Sequence, residues 1–236
     1  SVLRPVAEWN ERLNALQPAF LAGYPTALRL LAHEQHARRL AIAPSIVWSG
    51  GEHLTSAARR AIERAFGALV IDEYGSSECL SIAVGCGHGW LHLNADWVVL
   101  EAVDAQHRAV PPGTLSHTAL LTNLANRVQP VIRYDVGDRI VYRPEPCECG
   151  SPLPALRVQG RCDDVVTLRR RDGARVRLLP MALTTAIEEG ADLHLFQLVR
   201  HSDRELAIRL PEAPARSRAV ACRAARSALA PLLAAH

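Results

Sequence analysis

Up to residue 74, short apolar runs alternate with stretches of helical periodicity, and this alternation restricts the fold more than any other feature of the chain. From Pro5 to Leu16 the positions Val6, Trp9, Leu13 and Leu16 recur at helical spacing. Ala19–Gly23 is a short apolar run, after which Pro25 opens a second helix through Leu28, Leu31 and Ala32. Ser45–Trp48 predicts a buried strand that ends in Ser49-Gly50-Gly51-Glu52, and Thr55 is placed to cap a helix from Ser56 to Phe66. Ala68–Glu73 predicts a further buried strand that empties into a loop at Tyr74. Strands alternating with helices in this way imply a parallel sheet with crossover helices. Ligands of such sheets bind outside the carboxyl ends of the strands. Ser49–Glu52 and the Tyr74 segment both sit at such ends.

Tyr74-Gly75-Ser76-Ser77-Glu78 carries an aromatic ring, a glycine, two hydroxyls and a carboxylate within five residues. The set suits a nucleotide. The ring can stack on a purine, Gly75 admits close backbone approach, the hydroxyls can donate to phosphate, and Glu78 offers the hard oxygen that Mg²⁺ prefers. A strand-to-loop turn with no ligand has the same composition, so the neighbouring motifs decide the matter.

After Glu78 the pattern becomes all-β. Leu91–Leu93, Trp97–Val103, Leu115–Thr122, Val131–Tyr134 and Asp138–Tyr142 are short runs separated by turn residues such as Pro111-Pro112-Gly113. A smaller α+β unit is expected from Arg161 onward. In it, Val165–Arg169 and Arg175–Leu178 flank an Asp172-Gly173 turn, and Pro180 starts a helix to about Glu189. Leu193–Val199 and Glu205–Leu210 form another hairpin, and Ala213–Ala235 is a long Ala/Arg helix. The domains expected are therefore 1–160 and 161–236.

Composition excludes several classes. Hydrophobic residues make up 49% of the 236, enough for a core, yet no run approaches a membrane span. A net charge of +3 with both signs scattered disfavours nucleic acid as a partner. All 27 basic residues are arginine. The start at Ser1 shows no signal-peptide pattern, and six cysteines without a secretory context read as reduced thiols or metal ligands in a cytoplasmic protein.

Four motifs stand in order: Gly50-Gly51-Glu52, Tyr74-Gly75-Ser76-Ser77-Glu78, Arg133-Tyr134-Asp135-Val136-Gly137-Asp138 and Gly160-Arg161-Cys162-Asp163-Asp164. In this order and spacing they resemble the adenylate-forming superfamily of acyl- and aryl-CoA ligases, luciferases and peptide-synthetase adenylation domains. Gly23-Tyr24-Pro25 and Cys147-Glu148-Cys149-Gly150 look like the phenylacetate–CoA ligase branch. The resemblance implies the C-terminal part of the large domain, a parallel sheet with helices plus a β-subdomain, followed by a small α+β domain. It also implies roles. Asp72, Gly50, Gly51 and Glu52 would surround adenine, with Tyr74 stacked on it beside Gly75 and Ser76. Ser77 would contact the α-phosphate and Glu78 the Mg²⁺, the two acting at the reacting centre. Asp138 would accept the ribose hydroxyls, Arg161 would lie at the ribose edge, and Asp163 would be the hinge of the small domain.

The activity implied is ATP-dependent conversion of a carboxylic acid, expected to be an aryl acid, to an acyl-adenylate. Transfer to coenzyme A or another thiol would follow. The partners implied are therefore the acid and the thiol acceptor, with neither nucleic acid nor membrane, and a homodimer is compatible. Two departures stand beside this. The family's Ser/Thr/Gly-rich phosphate loop has no counterpart and is expected to lie before Ser1, and its catalytic lysine has none because the chain contains no lysine. The expectation is thus a family member seen as an incomplete chain. A non-catalytic AMP/ATP-binding or scaffolding homologue is the alternative, and a zinc-bearing interaction module is a third.

Cys86, His88 and His92 form one cluster of metal-ligating types, and Cys147 and Cys149 form another about 60 residues on. Zinc takes four Cys/His ligands from two separated segments, whereas unpaired loop thiols are the plainer reading. By the match to the phenylacetate–CoA ligase branch, a structural zinc would use Cys86, His92, Cys147 and Cys149, with His88 in reserve. Cys79, Cys162 and Cys222 read as ordinary small residues.

Overall fold

In this computed structural model, residues 4–170, 173–211 and 215–235 are described. Ser1–Leu3 of the expected start, Asp172 of the expected hairpin turn, and residues 213 and 214 of the expected last helix lie outside them. The chain divides into two units. One holds Ser1–Val136 with Ile140–Arg157, and the other holds Gly137–Arg139 with Val158–His236.

The first unit begins as its periodicity requires. Helix α1 (Val6–Leu16) is followed by β1 (Phe20–Gly23), α2 (Pro25–His36), β2 (Ile46–Gly50), α3 (Ser56–Phe66) and β3 (Leu69–Ser76). Pro25 occupies the first turn of α2, and the Thr55 side chain accepts a hydrogen bond from the Ala58 N–H at 3.2 Å to cap α3. Gly67 closes α3 in the left-handed conformation. Strands β1, β2 and β3 are parallel, so the helices are crossovers, and their apolar faces meet in one core built on Leu28, Leu40, Val47 and Ile62.

The sheet continues through antiparallel strands, two of which were not anticipated from the sequence. The first of these, β4 (Cys79–Gly85), folds back on β3, and the expected β5 (Leu91–Leu93) follows it. The second, β10 (Ala155–Arg161), pairs with β5, giving the seven-strand order β1-β2-β3-β4-β5-β10-β9, with β9 spanning Asp138–Tyr142. A separate antiparallel sheet holds β6 (Val98–Val103), β7 (Thr118–Asn123) and β8 (Val131–Asp135). The first four residues of β7 are buried, which marks it as the sheet's inner strand. Trp97 and Leu115, expected in strands, precede them.

The second unit carries the hairpins β11 (Val166–Arg169) with β12 (Arg175–Leu178) and β13 (Gln197–Arg200) with β14 (Leu206–Arg209). Its helices are α4 (Pro180–Ala191) and α5 (Ala215–Ala235). Leu183 and Ile187 of α4 meet Ala225 and Leu229 of α5 in a core of its own. A β-carbon on Gly190 would lie 2.7 Å from that of Ala228, so glycine sets how closely α4 and α5 pack. Among the described residues no helix is long and apolar enough to cross a membrane.

Candidate functional site

At the carboxyl end of the parallel strands, backbone register lines up the first candidate residues. Gly23 of β1 sits opposite Ser49 of β2, Ser49 opposite Asp72 of β3, and Gly50 opposite Glu73. The Gly23-Tyr24-Pro25, Gly50-Gly51-Glu52 and Asp72–Tyr74 motifs are thereby brought to one edge of the sheet.

Gly51 has φ +79°, and a β-carbon there would lie 2.7 Å from Cε1 of Tyr24. Only glycine fits under that ring in that backbone conformation. The Glu52 carboxylate accepts from the Thr26 N–H and from the Thr26 hydroxyl, both at 3.1 Å. That contact satisfies a free N–H of the first turn of α2 and favours the helix dipole. It also fixes the loop after β2 against α2. Beside it, Trp48 Nε1 donates to Glu73 at 2.6 Å, a pairing not foreseen from the sequence.

Asp72 is half-buried, with Gly85 packed on it: a β-carbon on Gly85 would lie 3.1 Å from Asp72 Cβ. Burial raises its carboxyl to about 6, partly opposed by the charge of Arg59. The Asp72 position thus suits a carboxyl that either donates or accepts near neutral pH.

Tyr74–Ser76 lies in β3, not in a loop as expected. β4 turns back so tightly that Ser76 pairs with Cys79, and the register slips between Tyr74 and Ser76. This is a β-bulge, and it places Gly75 where a β-carbon would meet the Leu80 carbonyl oxygen at 1.9 Å. Tyr74 is half-buried instead of freely exposed. Ser77 and Glu78 form the tip of the hairpin, Ser77 exposed and Glu78 half-buried. Ser76 Oγ accepts from the Cys79 N–H at 3.3 Å, and the Glu78 carbonyl accepts from Asn123 Nδ2 at 3.3 Å. Its own backbone N–H, then the Ser76 and Tyr134 side chains, hold the Glu78 carboxyl below the usual range. It is therefore an anion at neutral pH, as a Mg²⁺ ligand must be. Tyr134 is the site residue that sequence reading missed. Its membership in the Arg133–Asp138 motif was the available signal.

The ribose candidates lie in the second unit. Arg161 Nη1 is 3.6 Å from Asp138 Oδ1, and the Cys162 N–H donates to the Gly137 carbonyl at 2.7 Å. Gly137 has φ +73°, and a β-carbon on it would lie 2.8 Å from Arg161 Nη2. Glycine here makes room for the guanidinium beside Asp138. Asp163 is exposed between β10 and β11.

Cys86, His92, Cys147 and Cys149 come together, with their ligand atoms all within 4.8 Å of one another. Cys86 and Cys147 sulfurs are 3.7 Å apart, and Cys149 Sγ is 3.1 Å from His92 Nε2. His92 Nδ1 sits 3.0 Å from the Leu153 carbonyl, which selects the tautomer that leaves Nε2 as a ligand. Each cysteine segment is held by a tight turn. The Gly89 N–H donates to the Cys86 carbonyl at 3.3 Å, and the Gly150 N–H donates to the Cys147 carbonyl at 3.1 Å. Trp90 stacks under Arg157 at 4.0 Å and Arg143 at 5.4 Å, walling one side. His88 is not in the cluster and faces Glu148 at 3.6 Å. Three thiols and an imidazole at this spacing fit a tetrahedral soft-metal site.

No family model matches the chain. Over 132 residues it is 27% identical to Protein CapK of Staphylococcus aureus, covering 55% of this chain and 28% of that protein. Among solved structures, 2-hydroxyisobutyryl-CoA ligase in its postadenylation state matches with TM-score 0.76 and 24% identity, over 95% of this chain and 52% of that one. A benzoate CoA ligase from Burkholderia xenovorans matches with TM-score 0.64 and 18% identity, over 96% of this chain and 47% of that one. An anthranilate CoA ligase in complex with anthranoyl-AMP matches with TM-score 0.66 and 16% identity, over 91% of this chain and 44% of that one. The chain thus spans about half the length of these ligases, and its fold is the α/β fold of the adenylate-forming enzymes.

Proposed function

We propose that this chain is the nucleotide- and metal-holding portion of an adenylate-forming acid–thiol ligase of the phenylacetate–CoA ligase type. The observation that carries the reading is the convergence of Gly50–Glu52, Asp72 and the Tyr74–Glu78 hairpin at the carboxyl ends of parallel strands. Two CoA ligases sharing the fold, each in complex with an acyl-adenylate, support it.

In this reading Tyr74 stacks on adenine, whose amino edge is read by Asp72 and by the backbone of Gly50 and Gly51. Glu52 shapes that backbone through Thr26. Ser77, exposed at the hairpin tip, donates to the α-phosphate, and Glu78 holds Mg²⁺, which would neutralise phosphate charge as the acid attacks. Asp138, oriented by Arg161, accepts from the ribose hydroxyls, and Asp163 is the pivot of the second unit. The carboxylate of an aryl acid displaces pyrophosphate to give the acyl-adenylate, and a thiol, coenzyme A or a carrier's thiol, then displaces AMP. Such reactions run on positioning and charge neutralisation. Zinc on Cys86, His92, Cys147 and Cys149 would be structural, tying the two knuckles together. The setting is cytoplasmic.

A second reading, a nucleotide binder without catalysis, is favoured by one observation: the 236 residues include no lysine to assist the phosphate. Calorimetry with AMP and ATP·Mg²⁺, paired with pyrophosphate exchange over a panel of aryl and alkyl acids, separates the two. Binding with acid-dependent exchange supports the ligase. Binding without exchange for any acid selects the second reading, and no binding overturns both.

A further inference from the structure

Strand pairing in the seven-strand sheet brings two cysteines from distant segments into contact. Cys86 directly follows β4, whose Gly85 is opposite Leu91 of β5, and Leu91 is in turn opposite Leu156 of β10. Cys147 follows Arg143 by four residues, and the Arg143 N–H donates to the Ala155 carbonyl of β10 at 2.8 Å. The two sulfurs end 3.7 Å apart, both as free thiols. They differ in access, Cys86 being half-buried and Cys147 buried. The third thiol of the cluster, Cys149, is exposed, and its sulfur lies 3.1 Å from His92 Nε2. The other cysteines are placed elsewhere. Cys79 donates to the Ser81 carbonyl at 3.8 Å, and Cys162 and Cys222 belong to the second unit.

A disulfide holds its sulfurs about 2.05 Å apart, so from 3.7 Å each sulfur need move by less than about 1 Å. We propose that Cys86 and Cys147 are a redox-active pair that hydrogen peroxide converts to a disulfide. The half-buried Cys86 sulfur attacks one peroxide oxygen, the O–O bond breaks, one water leaves, and Cys86 becomes a sulfenic acid. The Cys147 sulfur then attacks that of Cys86, the S–O bond breaks, and a second water leaves as the disulfide forms. Two thiols and one hydrogen peroxide thus give one disulfide and two waters. The pair rests on the sulfur contact and not on the zinc reading. Where zinc is bound to the thiolates, two protons from solvent complete the waters, and the metal, having lost two of its ligands, leaves as Zn²⁺. The covalent link keeps the two segments joined after the metal has gone. In the cytoplasmic setting proposed above, such a disulfide is a transient, redox-sensing one.

The test treats the 236-residue protein, as purified, with a modest excess of hydrogen peroxide, alkylates the remaining thiols and maps peptides without reduction. The expected product is an intramolecular Cys86–Cys147 link, reversed by dithiothreitol, with Cys149 alkylated. A chromogenic chelator read in parallel should report one zinc released per link wherever the protein carries zinc. The link should be lost in Cys86→Ser and Cys147→Ser and should form as in the parent in Cys222→Ser. Should a cysteine variant fail to fold, the peptide map of the parent decides alone. A link formed in protein that carries no zinc supports the pair and removes the zinc reading. Zinc retained with both thiols unlinked overturns the pair and leaves the zinc reading standing. Absence of a link overturns the pair whatever the metal content. So does a dominant link through Cys149, a link formed only between chains, or sulfinic acids in place of the disulfide.

Discussion

Gly75 and the carbonyl oxygen of Leu80 leave no space for a side chain between them: a β-carbon on Gly75 would lie 1.9 Å from that oxygen. The contact is with backbone, so no rotamer change relieves it. Gly75→Ala must open the bulge between β3 and β4, and a cost of about 1–3 kcal/mol or more is expected. Because Ser77 and Glu78 ride on the same hairpin, nucleotide affinity should fall with stability. Urea melts and calorimetry on this variant check both, and an unchanged midpoint would contradict the bulge geometry.

Asp72 and Glu34 should pull stability in opposite directions with pH. Glu34 is pulled down to about 2, first by the Arg39 fork at 2.6 and 2.7 Å, with Asn10 adding a third bond. A lowered carboxyl contributes stability that is present above the unfolded value of 4.5 and is lost as pH falls toward 2. Asp72 has its carboxyl raised from 3.8 to about 6 by burial. Its native form holds the proton more tightly than the unfolded chain, so stability declines as pH rises from about 4 to about 6. The displacement is worth roughly 3 kcal/mol at most. Asp72→Asn should flatten the decline between pH 4 and 6, and Glu34→Gln should flatten the loss below pH 4. Stability curves against pH for both variants test the signs separately.

The first half of the fold was readable because its cues are local. Thr55 caps the helix it precedes, Pro25 opens the next, and Val47 and Val70 sit in short apolar runs. β4 escaped because Cys79–Gly85 mixes small and polar residues, and its strand character comes from pairing with β3 and β5. β10 escaped for a like reason: only Ala155 and Leu156 of its seven residues are buried. The displacement of Tyr74 from loop to strand follows, since an unseen partner strand extends β3 by three residues. At the site, residue types singled out Glu78 and the four Cys/His side chains that the fold brings together. The Tyr134–Glu78 and Trp48–Glu73 contacts join residues distant in sequence, and no local pattern encodes them.

Asp138 gives the sharpest test of the nucleotide assignment. With Arg161 at 3.6 Å its carboxylate is an oriented anion, suited to paired hydroxyl donors. Asp138→Ala should remove two charge-assisted hydrogen bonds, each worth roughly 1.5–3 kcal/mol, and so weaken AMP binding at least tenfold. Deoxy-AMP analogues lacking one ribose hydroxyl should lose less in the variant than in the parent. Equal AMP affinity in calorimetry would remove Asp138 from the site.

Metal removal addresses the Cys/His cluster. Cys147 and Cys149 follow Pro144-Glu145-Pro146, whose residues are all exposed, so apolar packing does not anchor the segment. The buried Cys147 sulfur instead lies 3.7 Å from that of Cys86, and His92 is aimed by Leu153 with Nε2 toward Cys149. Two segments about 60 residues apart thus bring three sulfurs and an imidazole within 4.8 Å of one another. On the zinc proposal a shared divalent cation would account for the convergence, and its binding energy would count directly toward folding. Protein purified without added metal should carry about one zinc per chain. Chelation or Cys149→Ser should lower Tm by several degrees, and His88→Ala should not, since His88 faces Glu148 outside the cluster. X-ray absorption should show sulfur near about 2.3 Å and nitrogen near about 2.0–2.1 Å. A metal content well below one, with all three thiols reacting freely in the folded protein, would end the zinc assignment.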